Sequence, residues 1–224
     1  TIKNNGDPLT TADTLANQIL KIQLQDNFPH DGWLSEETHD DLSRLHCQRV
    51  WVVDPIDGTK EFVKGLPEYA VSVALVEEGL PILAAVFNPA SAELFYAIKG
   101  QGVWRNHVPI HCNYPIQPSL TILASRTEMA DGKWVPFMAT HQIQAVGSIA
   151  YKLALVAAGK AHATFSLTPK SEWDIAAGVL LVQEAGGMVT DLNNQPFVFN
   201  QPQVRVNGII ATTTETNAVI RDIV

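Results

Sequence analysis

The chain has 224 residues, enough for one large domain or two fused lobes, and its 46% hydrophobic and 17% charged content is that of a soluble globular protein. Its net charge of −8 and pI near 5.3 argue against a general binder of nucleic acids or membrane surfaces, and no apolar run reaches the roughly 18 residues of a membrane span. Cys47 and Cys112 are isolated in the sequence and form no CxxC pair; isolated thiols favour a reducing compartment, so we expect a cytoplasmic protein, and the alternative is a single disulfide between the two.

The first predicted helix begins at about Thr11, with Thr10 or Thr11 as its N-cap. Leu15, Ile19 and Ile22 recur at the i, i+4, i+7 spacing of one helical face. Asp13 lies in the first turn, where the helix dipole stabilises a negative charge, and this is its simplest role.

The next informative segment is a strand followed by a turn. Residues 50–53 are rich in β-branched side chains and predict a buried strand that ends at Asp54, because Pro55 cannot continue a ladder of backbone hydrogen bonds. Asp54 and Asp57 would repel each other unless a cation lies between them, and oxygen ligands suit Mg²⁺ or Mn²⁺. The alternative is an Asx-type turn whose acids are solvated. Residues 59–62 can open a helix.

Three strand-like runs follow at 69–76, 81–88 and 93–97, joined by short turns. Such local spacing predicts an antiparallel meander. A boundary is predicted near 112–117, where asparagine and proline interrupt the periodicity, so we divide the chain into lobes 1–115 and 116–224.

In the second lobe the predicted strands alternate with helices, unlike the meander upstream. The strands are expected at 120–124, 143–146, 161–167, 188–191 and 208–211, and the helices at 129–141, 148–159, 174–184 and 215–224.

Two motifs, Asp-Pro-Ile-Asp-Gly-Thr at 54–59 and Trp-Asp-Ile-Ala-Ala-Gly at 173–178, resemble those of the Mg²⁺-dependent, lithium-sensitive inositol monophosphatase superfamily. That group includes inositol monophosphatases, 3'(2'),5'-bisphosphate nucleotidases and some fructose-1,6-bisphosphatases. The resemblance extends over about residues 3–211. We therefore predict an α+β fold, a layered αβαβα sandwich with an antiparallel meander sheet in the first lobe and a mixed α/β sheet in the second.

The resemblance also implies a metal site with two or three Mg²⁺ ions, for which Mn²⁺ could substitute. Glu36, Asp54 and the Ile56 carbonyl would hold one ion, and Asp54, Asp57 and Asp174 a second, with Asp54 bridging. A third, weaker ion would lie near Glu36. Taken alone, Asp174 is a helix N-cap candidate, and the two roles are compatible.

The catalytic roles follow from the same resemblance. Glu36 belongs to a Glu pair that by itself is typical of a solvated surface, and Glu37 would be its supporting neighbour. Asp13 would orient Thr59, and Thr59 would help to deprotonate the water that attacks the phosphate. The substrate phosphate would lie on the Gly58 and Thr59 amides.

The substrate is predicted from three lysines. Lys60 resembles the bisphosphate nucleotidase branch, because inositol monophosphatases typically carry asparagine there. Lys152, in the Gly-Ser-Ile-Ala-Tyr-Lys segment that contains Ser148, matches a lysine that approaches a second phosphate, and Lys170 adds a nearby cation. Leu167 stands where inositol monophosphatases place a glutamate that contacts the inositol.

The preferred prediction is a phosphomonoesterase that acts on adenosine 3',5'-bisphosphate or a close relative. The runner-up is an inositol-1-monophosphatase or a sugar (fructose-1,6-) bisphosphatase, and an alternative of another class is a metal-dependent regulatory or scaffold protein with incidental catalysis. We expect a small phosphorylated metabolite as partner, no nucleic-acid polymer or membrane, and a monomer or homodimer. Residues 1–11 are predicted to form a loop; Thr1 is not an initiator methionine, and the resemblance implies a further helix before it.

Overall fold

The computed structural model describes residues 8–115 and 117–224, so most of the loop predicted over residues 1–11 lies outside the described residues. The helices of the described part are α1 Thr11–Asn27, α2 Thr59–Val63, α3 Arg126–Ala130, α4 Ile149–Ala157, α5 Glu172–Glu184 and α6 Asn217–Ile223, with short 3-10 helices at Ser43–His46 and Val135–Phe137.

The first sheet has seven strands in sequence order. They are β1 Gly32–Ser35, β2 Arg49–Asp57, β3 Ala70–Glu77, β4 Leu80–Asn88, β5 Glu93–Ile98, β6 Gly102–Arg105 and β7 Val108–Pro109. Strand β1 pairs with β2 in parallel, and every later neighbour is antiparallel. The predicted meander is therefore confirmed, with one parallel strand added at its edge.

The second sheet is mixed, as predicted. Its strands are β8 Thr121–Ala124, β9 Gln142–Ala145, β10 Ala163–Ser166, β12 Met188–Thr190 and β14 Ile209–Thr212, in the order β12-β14-β10-β8-β9. Strand β8 is parallel to both of its neighbours, whereas β14 is antiparallel to both of its own. A separate two-stranded ribbon, which sequence reasoning did not predict, joins β11 Lys170–Ser171 to β13 Arg205–Val206.

The sheets and helices stack in the predicted αβαβα order. Helix α1 packs on one face of the first sheet, against Trp51 and Val53. The largest core cluster joins the other face of that sheet to α4, α5 and the second sheet. Helices α3 and α6 pack on the outer face of the second sheet, around Trp134 and Phe165. Both sheets therefore bury two faces, and α5 lies between them with its first turn at the cavity described below.

Helix α1 is confirmed, but the apolar face that predicted it does not face the core. Leu15, Ile19 and Ile22 are 52%, 61% and 57% exposed, whereas Asp13 and Asn17 are buried. Asp13 accepts a hydrogen bond from the backbone N–H of the Thr10 N-cap and so completes a capping box. The inward face therefore combines the polar contacts of Asp13 and Asn17 with the apolar contacts that Leu20 and Leu24 make with the first sheet.

Strand β2 continues past the predicted end at Asp54. Asp54 pairs with Ser72 and Asp57 with Ala70, so the register shifts between them. Such a bulge admits Pro55, because one residue there makes no ladder hydrogen bond.

The helix predicted over 129–141 is wrong. Helix α3 ends at Ala130, and Gly132 has a φ of +74°, which favours glycine and stops the helix. Only the 3-10 turn Val135–Phe137 follows. No helix among residues 8–115 and 117–224 is long and apolar enough to cross a bilayer, and Cys47 and Cys112 form no disulfide.

Candidate active site

A cavity of about 370 Å³ opens between the two sheets. It has the size of a small-molecule site. Most of the residues predicted for the site line it, namely Glu36, Asp54, Ile56, Asp57, Gly58, Thr59, Lys60, Ser148, Lys152, Lys170 and Asp174. Glu37 is not among the lining residues, and Asp13 reaches the cavity through its contact with Thr59.

Four of these lining residues are acidic, and we call them the acidic cluster: Glu36, Asp54, Asp57 and Asp174. Strand pairing brings the first two together: β1 runs parallel to β2, and the Glu36 N–H donates to the Val53 carbonyl at 3.3 Å. Asp174 lies in the first turn of α5. Ser72 on β3 fixes this turn by donating a hydrogen bond to the Trp173 carbonyl at 3.3 Å. Residues far apart in sequence thus meet at the end of one sheet.

The charges in the acidic cluster repel one another. Burial raises the pKa of Asp54 well above its ordinary value, and the carboxylates of Glu36, Asp57 and Asp174 raise it further. Burial, followed by the charge of Asp57, also raises the pKa of Asp174. An environment of this kind stabilises either bound protons or bound cations.

The three aspartates are also anchored by hydrogen bonds to the protein. In each aspartate one carboxylate oxygen accepts these hydrogen bonds. The Ile56 N–H donates to Asp54 Oδ1 at 3.0 Å, and the Ser171 N–H donates to Asp174 Oδ2 at 2.7 Å. Ser148 Oγ and the Ala150 N–H both donate to Asp57 Oδ2, each at 2.6 Å. Asp174 is therefore the third helical residue of a capping box whose N-cap is Ser171, and not the N-cap itself. Within residues 8–115 and 117–224, no group of three Asp, Glu, His or Cys side chains is arranged to hold a metal ion, so the ligand set stays a prediction.

Thr59 lies between two acceptors. Its hydroxyl is 3.1 Å from Asp13 Oδ1 and 3.0 Å from the Ile56 carbonyl, and Asp13 is fully buried. Because the single hydroxyl proton is donated to one of these two acceptors, the lone pairs of Thr59 Oγ1 remain to accept a hydrogen bond from the cavity side. The contact between Asp13 and Thr59 exists as expected, and its catalytic role stays a prediction.

Lys152 is a buried cation, with 3% of its surface exposed. Its ammonium donates to the carbonyls of Val146 and Ser148, each at 3.1 Å, which leaves one of its three N–H groups for another partner. Burial lowers the pKa of Lys152 to about 8, while the charge of Asp57 opposes that shift. The side chain is thus still mostly protonated at neutral pH.

Two glutamates outside the acidic cluster, Glu68 and Glu128, form hydrogen bonds with residues that line the cavity. Arg126 pairs with both carboxylate oxygens of Glu68, at 2.5 and 2.6 Å, and the Gly147 N–H donates to the same carboxylate at 2.7 Å. Glu128 is buried and accepts hydrogen bonds from Ser166 Oγ at 2.6 Å, Thr168 Oγ1 at 2.7 Å and Trp134 Nε1 at 3.2 Å.

Sequence reasoning missed several lining residues, namely Glu61, Ser125, Thr127, Ser166 and Arg205. Ser125 and Thr127 follow the end of strand β8, a position that could have marked them. Arg205 has no local signal: it reaches the cavity because β13 pairs with β11, which sets it opposite Ser171 and next to Lys170.

Comparison with known proteins gives one consistent result. The whole chain, residues 1–224, matches the model of the inositol monophosphatase family. It is 34% identical over 194 residues to the 3'(2'),5'-bisphosphate nucleotidase CysQ of Salmonella typhimurium, covering 84% of this chain and 78% of the relative. It is 38% identical to the Nus factor SuhB of Xylella fastidiosa, covering 84% and 70%. The solved IMPase of Thermotoga maritima superposes with a TM-score of 0.87 at 27% identity, covering 99% and 85%.

Proposed function

The chain belongs to the inositol monophosphatase family, whose members are phosphatases that hydrolyse phosphate monoesters, and we propose that its preferred substrate is adenosine 3',5'-bisphosphate or a close relative. The observation that supports a metal-dependent hydrolysis is the acidic cluster beside the Thr59–Asp13 pair in one cavity.

The donor atoms of the acidic cluster fit Mg²⁺, which prefers carboxylate and carbonyl oxygens, and its crowded negative charge requires compensation. Glu36, Asp54, Asp57 and Asp174, with the Ile56 carbonyl, would be the ligands. Bound Mg²⁺ would neutralise the phosphate and lower the pKa of the attacking water. Thr59 Oγ1 would accept a hydrogen bond from that water while Asp13 holds the hydroxyl in place. The Gly58 and Thr59 amides would contact the phosphate.

The preference for a substrate with a second phosphate is supported by the positive charges around the same cavity. Four cationic side chains line it, namely Lys60, Lys152, Lys170 and Arg205. Lys170 and Arg205 lie on adjacent strands of the ribbon, and Lys152 has an N–H group left for a ligand. Leu167 is partly buried against the core cluster of the second sheet, and a leucine offers no carboxylate for an inositol hydroxyl.

A panel of substrates tests this preference. The purified protein would be assayed with Mg²⁺ on adenosine 3',5'-bisphosphate, inositol 1-phosphate and fructose 1,6-bisphosphate, with and without Li⁺. We expect the highest kcat/KM on the adenosine compound. Lys152→Met, which keeps the buried chain length, should reduce that preference about tenfold or more, since a hydrogen bond to a charged group contributes roughly 1.5–3 kcal/mol.

The matched control is Lys160→Met, at an exposed position just after α4, which should leave the preference unchanged. Equal or faster cleavage of inositol 1-phosphate by the wild type would overturn the substrate assignment. A folded protein that hydrolyses none of the three esters would favour the alternative of a regulatory or scaffold protein. The similarity to a protein named as a Nus factor is the reason to test that alternative.

A further inference from the structure

We propose that Glu68 and Arg126 are positioning residues, which hold the turn at Gly147 and Ser148 so that Asp57 keeps its place in the acidic cluster. The inference rests on the proposed function and deepens it, because it assigns support of the metal site to an ion pair whose members are not themselves proposed ligands.

The pair joins three segments of the chain. Glu68 lies in the loop between α2 and β3, and Arg126 is the first residue of α3. The guanidinium binds the carboxylate through Nε and Nη2, the two-pronged geometry that fixes orientation as well as distance. The same carboxylate accepts the Gly147 N–H at 2.7 Å, so it connects the first sheet, α3 and the turn before α4.

The backbones of these segments approach one another closely at two glycines. A Cβ atom at Gly147 would lie 2.7 Å from the Glu68 carbonyl oxygen, and one at Gly58 would lie 2.9 Å from the same atom. Gly58 immediately follows Asp57, so the backbone of the motif and the backbone of the turn contact one carbonyl from two sides. Neither glycine therefore has room for a side chain beside the Glu68 carbonyl.

Ser148 is held in an unfavourable conformation. Its φ of +54° and ψ of 116° are rare for a residue with a side chain, and such backbones persist only where the surroundings fix them. The Glu68 bond to the preceding N–H is one such restraint. In this conformation Ser148 Oγ and the Ala150 N–H converge on Asp57 Oδ2 at 2.6 Å each.

A positional role follows from this chain of contacts. Carboxylates that bind metals depend on neighbours that orient them, and losing such a neighbour typically costs roughly 10- to 100-fold in metal affinity or activity. Removing the ion pair would release the turn, and with it the two donors to Asp57. An ordinary surface ion pair, by contrast, contributes little and would leave the metal site untouched.

The test measures Mg²⁺ binding directly, by titration calorimetry of the metal-free protein with Mg²⁺ alone. We expect Glu68→Ala to raise the dissociation constant for Mg²⁺ roughly 10- to 100-fold and Arg126→Lys to raise it less, because Lys cannot form the two-pronged contact. In turnover assays the Mg²⁺ concentration for half activity should rise more than the substrate KM.

The matched control is Arg49→Ala. Arg49 pairs with Asp31 at 2.9 Å and its side chain is 40% exposed, close to the 37% of Arg126, but it lies at the far end of β2. Its variant should bind Mg²⁺ like the wild type. If Glu68→Ala does not fold, judged by circular dichroism, Arg126→Lys decides the question.

The two proposals fail differently. Unchanged Mg²⁺ affinity in the folded variants of the pair, with a wild type that binds Mg²⁺ and hydrolyses phosphate esters, overturns the positioning role alone. A wild type that neither binds Mg²⁺ nor hydrolyses any ester overturns the proposed function first.

Discussion

Two kinds of carboxylate lie in or beside the same cavity, and they differ in what neutralises their charge: Asp54 and Asp174 line it, whereas Glu68 and Glu128 are hydrogen-bonded to residues that line it. Glu68 and Glu128 are satisfied by the protein: the hydrogen bond from Arg126 lowers the pKa of Glu68, and although burial works against it, the hydroxyls of Ser166 and Thr168 lower the pKa of Glu128. Asp54 and Asp174 lie among like charges, and their pKa values are raised. The first kind is neutralised within the protein, whereas the charge of the second kind is balanced only by bound protons or by a bound cation.

The largest expected effect comes from removing a charge of the second kind. Asp174→Asn keeps an oxygen for the Ser171 N–H but loses the negative charge. We expect Mg²⁺-dependent turnover to fall about 10⁴-fold, as for the loss of a charged catalytic group, and the rise in melting temperature on adding Mg²⁺ to disappear. Calorimetry with and without Mg²⁺ measures the second effect. Asp222→Asn, at an exposed position in α6, is the control, and undiminished turnover of Asp174→Asn would remove it from the ligand set.

A smaller loss is expected from the hydroxyl between Asp13 and the Ile56 carbonyl. Thr59→Ala should reduce kcat about 100-fold, the lower range for a group that positions or transfers a proton, while Thr59→Ser should recover most of it because it keeps the oxygen. Steady-state kinetics at saturating Mg²⁺ separate kcat from KM. If serine and alanine lose activity equally, the methyl group matters and the hydroxyl does not.

The smallest effect should appear at Glu128, on stability and not on metal binding. Glu128→Gln replaces one acceptor oxygen by an amide N–H group, so one of the buried donors, Ser166, Thr168 or Trp134, loses its partner, at a cost of about 1–3 kcal/mol in the free energy of unfolding. Urea unfolding at pH 7 measures this difference, with the exposed Glu215→Gln as control.

The pH dependence sharpens that prediction. Because the folded-state pKa of Glu128 lies below its ordinary value of 4.5, its charge stabilises the fold fully above that pH, and the contribution is lost as the pH falls through the folded-state pKa. The wild type and Glu128→Gln should therefore converge in stability in acid. A difference that stays constant from pH 7 down to pH 3.5 would show that the charge of Glu128 is not involved.

Local pattern predicted much of the fold. The meander of β3 to β5, helix α4 and the turn at Gly58 follow from alternation, apolar spacing and turn residues, which act within a few positions. The prediction of a helix over 129–141 was wrong, because Gly132 and the proline at 136 are residues that end or interrupt helices.

Other features carried no local signal. The inward face of α1 is mixed: Leu20 and Leu24 pack on the first sheet, while Asp13 bonds to Thr59 and Asn17 to Ser35. Arg205 lines the cavity only because β13 pairs with β11, and Glu128 lies behind the lining, where it accepts a hydrogen bond from Ser166. Neither the residues beside them nor their spacing distinguishes them from solvated charges.

The sequence by itself determined the local chemistry: two aspartates at the end of a buried strand, a threonine two residues beyond them, and an acid in the first turn of a helix. These follow from backbone preferences and short-range spacing, which a linear pattern encodes. Only the tertiary structure decided which acids meet, which are neutralised by the protein and which way Ser148 points. Those outcomes depend on how two sheets and the helices between them pack, and packing joins residues that sequence proximity does not.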